Sequence, residues 1–191
     1  MNNFDDERIL FYLNHRKLID QWTEIRSEVP SRTHKFLFEL EDDIQELGEM
    51  LGADIKLYKE ESGYPKLSLH RNTWPIGDNK PAVGIGIEWG GKSVDLQDRP
   101  PYVGVWTNRH TLTGIALSEM LNQSLNSVAL RYGMQQSKWF PVKLHIHCEY
   151  EQFWLHLDDY RQHVLSEIEL MWKRCVDEVD IAVQSLEEPV A

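Results

Sequence analysis

The 191-residue sequence contains only two cysteines, Cys148 and Cys175, and neither belongs to a CxxC pair or a metal-type cluster. One disulfide is possible, but two reduced and mostly buried thiols are the simpler interpretation and are typical of a cytosolic protein. The N-terminal residues lack the basic start and apolar centre of a secretory signal. No apolar run approaches the ~20 residues that cross a membrane. We therefore expect a cytoplasmic protein with no membrane association.

Recognisable catalytic motifs are also missing: the sequence has no P-loop, GxSxG, GxGxxG or protein-kinase motif. We therefore predict no catalytic residue and no cofactor, and consider a binding protein more in keeping with the sequence than an enzyme. His145, His147 and Glu149 would share one strand face, and two histidines at this spacing can hold zinc with a third ligand. A solvent-facing or hydrogen-bonded pair is the simpler interpretation, and no metal site is predicted.

The composition is that of an ordinary globular protein, with 41% apolar and 27% charged residues, which excludes general disorder. A chain of this length is expected to form a single domain, 1–191. Its formal charge of −11 is unevenly distributed. Residues 1–63 and 144–191 carry −7 and −8, whereas residues 64–143 carry +4 and four of the seven tryptophans. A basic, tryptophan-rich centre between acidic ends indicates where a partner would bind.

The hydrophobic pattern predicts an α+β fold. Helical spacing covers 5–29 and 31–51, with a break at Pro30-Ser31, so that the two helices form an N-terminal hairpin. Four strands, a helix, a last strand and a long C-terminal helix follow, at 54–59, 66–71, 83–89, 102–107, 111–132, 139–148 and 152–186. The order is α-α-β-β-β-β-α-β-α. Because the strands are short and closely linked, we expect a mostly antiparallel five-stranded sheet.

Glycines are concentrated on one face of the two central strands. Gly84 and Gly86 alternate with apolar residues in one strand, and Gly104 lies between Tyr102 and Trp106 on the equivalent face of the next. Glycine weakens a strand, so its presence there needs a structural reason. We expect a closely packed helix over this face, with a ligand lying on bare backbone as the alternative.

The candidate binding site follows from the meander topology, which places loop 72–82 and turn 108–111 at the same end of the sheet. This end adjoins the start of the 111–132 helix, where free backbone N–H groups favour an anion. A polar loop with Thr111 as an N-cap is the simpler interpretation. The candidate binding residues are Arg71, Trp74, Asp78, Lys80, Tyr102, Trp106, Arg109 and His110.

Our first functional hypothesis is a non-enzymatic acidic interaction protein, either an inhibitor, immunity-type or antitoxin-type partner or a subunit of a complex. Acidity steers a basic partner, and the 152–186 helix is too long for its domain. We therefore expect a protein partner or self-association through that helix, whose acidic face carries Asp158, Asp159, Glu167 and Glu169.

Two alternatives stay open. The order helix, three strands, helix, strand resembles the restriction-endonuclease-like fold, whose active site uses a D/E-x-K tripeptide on the third strand. The corresponding place reads Glu88-Trp89-Gly90-Gly91-Lys92, with glycine where the lysine belongs. The resemblance implies a degenerate nucleic-acid-processing protein that uses the basic centre. The basic residues would contact phosphates and the tryptophans would stack on bases: Arg71, Lys80, Lys92, Arg99, Arg109 and Arg131, with Trp74, Trp89 and Trp106. The second alternative is a sensor or hydrolase for small anions. It would act at the end of the sheet that carries Arg71, Trp74, Arg109 and His110.

Overall fold

The computed structural model describes residues 7–77, 79–96, 98–148 and 155–187. The helices are α1 (Glu7–Phe38), α2 (Glu41–Leu51), α3 (Leu112–Ser124), α4 (Asn126–Tyr132) and α5 (Leu157–Glu187), with a short 3₁₀ helix at Gly91–Ser93. The strands are β1 (Ile55–Glu60), β2 (Lys66–Arg71), β3 (Ile76–Gly77), β4 (Lys80–Pro81), β5 (Val83–Glu88), β6 (Tyr102–Thr107) and β7 (Val142–His145). None of the described helices is both long and apolar enough to cross a membrane.

The main sheet has five strands in the order β1-β2-β5-β6-β7, and every neighbouring pair is antiparallel. The two-residue strands β3 and β4 pair with each other in the connection between β2 and β5. This confirms the predicted α+β class, with its N-terminal helical hairpin, five-stranded antiparallel sheet and long C-terminal helix.

One face of the sheet carries the hydrophobic core. Alternate strand residues such as Leu67, Ile85 and Val105 are fully buried, as strand geometry requires of a face that packs against helices. Helices α2, α3 and α5 pack on this face. The apolar stripe of α5, which includes Val164, Ile168, Met171, Cys175 and Val179, belongs to the same core. The long helix therefore uses its stripe inside its own domain.

The first helix continues through Pro30, and the break in the hairpin lies at Glu39–Leu40 rather than at Pro30-Ser31. Proline removes one backbone donor and disfavours helix, but contacts of neighbouring side chains span it. The Thr33 hydroxyl donates to the Val29 carbonyl over 2.9 Å, and Arg32 pairs with Glu28 over 2.6 Å. These two i, i+4 contacts support the helix on either side of the proline.

The other helix boundaries follow the expected residue types. Thr111 is the N-cap of α3, since its Oγ1 accepts from the Gly114 amide over 3.1 Å. The predicted 111–132 helix is divided at Leu125 into α3 and α4, and Gly133 ends α4 in the left-handed conformation. The C-terminal helix is described from Leu157, and the first residues of the predicted 152–186 helix lie outside the described residues.

The glycine-bearing face, which carries Gly84, Gly86 and Gly104, is not the face on which α2, α3 and α5 pack, so the expected helix over it is wrong. A Cβ on Gly84 would lie 2.7 Å from Trp106 Nε1. On Gly86 or Gly104 it would lie 2.1 or 2.4 Å from a carbonyl oxygen of the adjacent strand. The glycines therefore let an indole lie flat and let neighbouring strands approach closely.

Candidate functional site

A pocket of about 680 Å³ opens on the glycine-bearing face of the sheet. Its wall is formed by side chains of β1, β2, β4, β5, β6 and β7, by the β1–β2 turn, by the turn after β6, and by the segment that precedes β7. The size lies within the ~300–1,000 Å³ typical of small-molecule sites. Aromatic rings and ionisable groups line it together, so that a ligand could contact both apolar and charged side chains.

A buried ion pair holds one side of this pocket. Lys66 and Glu88 are register partners on β2 and β5, and Lys66 Nζ lies 2.7 Å from Glu88 Oε2. The Tyr102 hydroxyl donates to the other carboxylate oxygen. Burial, together with the nearby Glu88 carboxylate, raises the pKa of Tyr102 above its ordinary value. The Lys66 ammonium also lies 4.6 Å from the centre of a Trp106 ring. These contacts fix Tyr102 and Trp106 in position.

Lys143 is the pocket lysine that has no ion pair among the described residues. Its ammonium lies 4.8 Å from the centre of the Tyr102 ring and 5.9 Å from that of Phe140. The two rings meet edge to face, with their centres 4.8 Å apart. A cation is therefore held at the wall by aromatic faces, which attract it without neutralising its charge.

The rim combines a second ion pair with an aromatic contact. Lys80 Nζ lies 2.5 Å from Glu60 Oε1, and the Tyr58 hydroxyl donates to Glu60 Oε2 over 3.1 Å. Burial acts to raise the pKa of Glu60, but the hydrogen bonds from Lys80 and Tyr58 outweigh it and keep this pKa below its usual value. The His110 and Trp139 rings lie 5.5 Å apart at the rim.

The structure separates the eight candidate binding residues into groups. Lys80, Tyr102, Trp106 and His110 line the pocket. Asp78 lies outside the described residues. As predicted, loop 72–82 and turn 108–111 lie together, since the Asn108 amide donates to the Ala82 carbonyl over 2.8 Å. Arg71, Trp74 and Arg109 have contacts elsewhere.

Arg71 and Trp74 belong to a joint between the sheet and α5, which we define by Asp54, Arg71, Trp74, Trp172 and Asp180. Its two tryptophans are buried, and its ionised side chains are 28–44% exposed. Arg71 Nη1 donates to Asp54 Oδ2 over 2.9 Å, and its Nε lies 3.1 Å from Asp180 Oδ2 without hydrogen-bond geometry. The hydrogen bond from Arg71 lowers the pKa of Asp54. Trp74 Nε1 donates to Asp180 over 2.6 Å, and its indole stacks on Trp172 with ring centres 5.5 Å apart.

Arg109 supports the segment that precedes β7. Its Nη1 donates to Ser118 Oγ over 3.1 Å and to the Lys138 carbonyl over 3.2 Å. Ser118 Oγ donates to the same carbonyl over 2.6 Å. The guanidinium is thus engaged by α3 and by the chain that carries Trp139.

Sequence reasoning did not assign Lys66, Glu88, Lys143, Trp139 and Phe140 to this pocket. A signal for two of them was present, because Lys66 and Glu88 both share a strand face with the glycine-bearing positions. Lys143 could not be found in this way, since its cation–aromatic contacts depend on how β7 pairs with β6.

The other residues discussed for metal and nuclease chemistry are not brought together. The rings of His145 and His147 lie 5.9 Å apart, and the structure does not describe Glu149. No group of three potential metal ligands occurs among the described residues. Lys92 lies exposed in the 3₁₀ helix. Burial lowers the pKa of His34, and the charge of Lys92 lowers it further. His34 accepts from Trp89 on the opposite face of β5 from the Glu88 carboxylate.

A second surface of interest is the N-terminal part of α1, residues 7–29, here called the α1 arm. All the buried side chains of α1 lie beyond it, at Thr33, Phe36 and Leu37. Eight large apolar side chains of the arm are 41–62% exposed, and four of them, Phe11, Leu18, Trp22 and Ile25, lie on one face at helical spacing. Scattered exposed apolar residues are ordinary, but a contiguous row on one helix is typical of an interface.

Comparison with protein-family models, with curated proteins and with solved structures gives no match for this chain.

Proposed function

We propose that the protein is a non-enzymatic interaction module that self-associates through its α1 arm. The observation that carries this proposal is the exposed apolar row on the arm. The α5 helix, through which self-association was first expected, gives less support because its apolar stripe packs in its own core. A cytoplasmic location and a role as inhibitor, immunity-type or antitoxin-type partner remain proposals.

The spacing of the row suits a helical partner. Phe11, His15, Leu18, Trp22, Ile25 and Val29 follow one another at alternating intervals of four and three residues. This is the a/d pattern with which two helices interdigitate in a coiled coil. The same row on a second copy is self-complementary, and a two-fold interface of this kind is the commonest form of soluble oligomer.

Charge also favours a second copy at this place. The α1 arm carries four acidic and four basic residues and is formally neutral, although the chain carries −11. Helix α2, in contrast, has five acidic residues and no basic one. Two copies can therefore approach arm to arm with little repulsion, whereas their acidic bodies repel one another.

The test is the molar mass in solution across a concentration series, measured by size-exclusion chromatography with light scattering. We expect wild-type protein at twice the 22.5 kDa chain mass. The double variant Trp22→Glu/Ile25→Glu should be monomeric and retain the circular dichroism spectrum of a folded protein. The matched control Ile181→Glu adds a charge at a 57% exposed site on α5 and should remain dimeric.

A wild-type monomer at every concentration would overturn the proposal. The proposal would also be overturned if Ile181→Glu were monomeric while Trp22→Glu/Ile25→Glu stayed dimeric, because the interface would then lie on α5.

The degenerate nuclease-like alternative remains a hypothesis with little support. Trp74 and Trp89 are buried, so their indoles offer no open face to a base. Arg71 and Lys80 are paired with carboxylates. Binding of single- or double-stranded nucleic acid at low salt, weakened by added salt, would favour it over the interaction module.

A further inference from the structure

We propose that the pocket on the glycine-bearing face binds a small organic anion that carries a planar ring. The proposal concerns a different surface from the α1 arm and does not depend on self-association.

The pocket is electrically unlike the rest of the chain. Three lysines and two glutamates line it, so its formal charge is positive within a protein of charge −11. Lys66 and Lys80 are each paired with one of those glutamates. Lys143 is left as the excess cation, and its ammonium faces aromatic rings rather than a carboxylate. An anionic group is the partner that would pair with it directly.

The remaining wall suits a flat apolar group. Phe140 and Tyr102 meet edge to face beside Lys143, and Trp139 with His110 stands at the rim. Aromatic side chains prefer offset-stacked or edge-to-face neighbours, so a planar ring can pack against this group. A ligand with a ring and an anionic substituent would thus contact both the aromatic side chains and Lys143.

The wall is also held in place before any ligand arrives. Tyr102 is fixed by its hydrogen bond to Glu88, which in turn is paired with Lys66. Lys66 covers one ring of Trp106, whose indole lies flat in the space left by Gly84. Trp106 Nε1 is buried with no acceptor among the described residues. The packing against Lys66 and Gly84, and not a hydrogen bond of the indole, therefore holds this ring. Such preorganisation lowers the entropic cost of binding.

Isothermal titration with matched probes tests the proposal. Naphthoate and naphthyl phosphate carry both ring and charge, naphthamide carries the ring alone, and acetate carries the charge alone. We expect one or both naphthyl anions to bind at least about tenfold more tightly than naphthamide or acetate, because a charge-assisted contact is added. Whichever of naphthoate and naphthyl phosphate binds more tightly shows whether the pocket prefers a carboxylate or a phosphate.

Variants assign the binding to this pocket. Lys143→Gln should weaken the naphthyl anions about tenfold and leave naphthamide unchanged, since only the charged contact is lost. Trp139→Ala should weaken all three ring-bearing probes. The control Lys92→Gln removes an equal charge from an exposed site on the 3₁₀ helix and should bind as wild type.

The proposal is overturned if neither naphthyl anion binds saturably in the millimolar range, or if naphthamide binds equally well. It is also overturned if Lys143→Gln and Lys92→Gln both bind like wild type, because the anion would then occupy another place.

Discussion

The joint around Arg71 and Trp74 and the pocket around Lys66 and Trp106 are built from the same kinds of residue on opposite faces of one sheet. Each combines a tryptophan, a cation from β2 and a carboxylate. At the joint, α5 supplies both Asp180 and the stacked Trp172, and the two indoles are buried while Arg71 stays 28% exposed. On the other face no such helix takes part in the ion pair, and a cavity remains beside it.

The difference shows that residue type does not separate a structural cluster from a binding site. What separates them is the element that packs above. At the joint, the helix over the sheet supplies Asp180, which accepts from Trp74 and pairs with Arg71. On the pocket side the strand residues satisfy one another in part, and Lys143 is left available to an outside anion.

The largest expected effect is on the joint. Trp74→Ala should lower the free energy of unfolding by about 3–5 kcal/mol, because it opens a cavity at a side chain that is 1% exposed and leaves Asp180 with one hydrogen bond fewer. Chemical denaturation measures this loss. Trp139→Ala, at the 39% exposed pocket rim, is the matched control and should cost less than about 1 kcal/mol. Equal losses would show that the two faces do not differ as described.

This comparison also explains how far the sequence could lead. The fold class and the order of the main helices and strands along the chain were predictable, because apolar alternation and helical spacing are local signals. The strand boundaries at 66–71 and 102–107 agree with the structure. The predicted helical break at Pro30 was wrong, because the contacts of Thr33 and Arg32 with the preceding turn support a continuous helix.

The site was harder to predict, because composition does not say which side of a strand a helix will cover. Arg71 and Lys66 lie at the two ends of the same strand and, being five residues apart, point to opposite faces. The expected basic surface is accordingly divided, with Arg71 paired to Asp180 of α5 and Lys80 paired to Glu60 at the pocket rim. Which face holds a cavity depends on long-range packing that a single sequence does not display.

A smaller effect is expected at the ion pair of the pocket. Glu88→Gln should lower the free energy of unfolding by about 2 kcal/mol, because Lys66 would keep a charge in a largely buried place without its counter-ion. The Lys66 and Glu88 side chains are 14% and 7% exposed. The double variant Lys66→Met/Glu88→Gln should regain part of this loss, since it removes both charges. Chemical denaturation measures all three variants. A loss of stability in the double variant equal to the sum of the losses in the two single variants would contradict the coupling.

The smallest effect concerns His70, a buried residue on the same face of β2 as Lys66. Burial lowers its pKa below the ordinary 6.5, and nearby Lys56 acts in the same direction, while a hydrogen bond with the Lys56 backbone opposes them. Above that ordinary value the ring is neutral in both the folded and the unfolded chain, so its contribution is fully present. As the pH falls below it, the unfolded chain takes up the proton first and stability is lost.

His70→Gln should therefore reduce the loss of stability on the acid side, measured as the slope of the unfolding free energy against pH below neutrality. Glutamine can keep a donor toward the Lys56 backbone but cannot become charged. The slope should decrease and not vanish, because burial also lowers the pKa values of His34 and His145. His163→Gln, at an exposed position on α5, is the control and should leave the slope as in wild type. An unchanged slope in His70→Gln would mean that His70 takes up a proton equally readily in the folded and the unfolded chain. The contrast between the pocket face and the joint would then depend on Lys143 and the cavity alone.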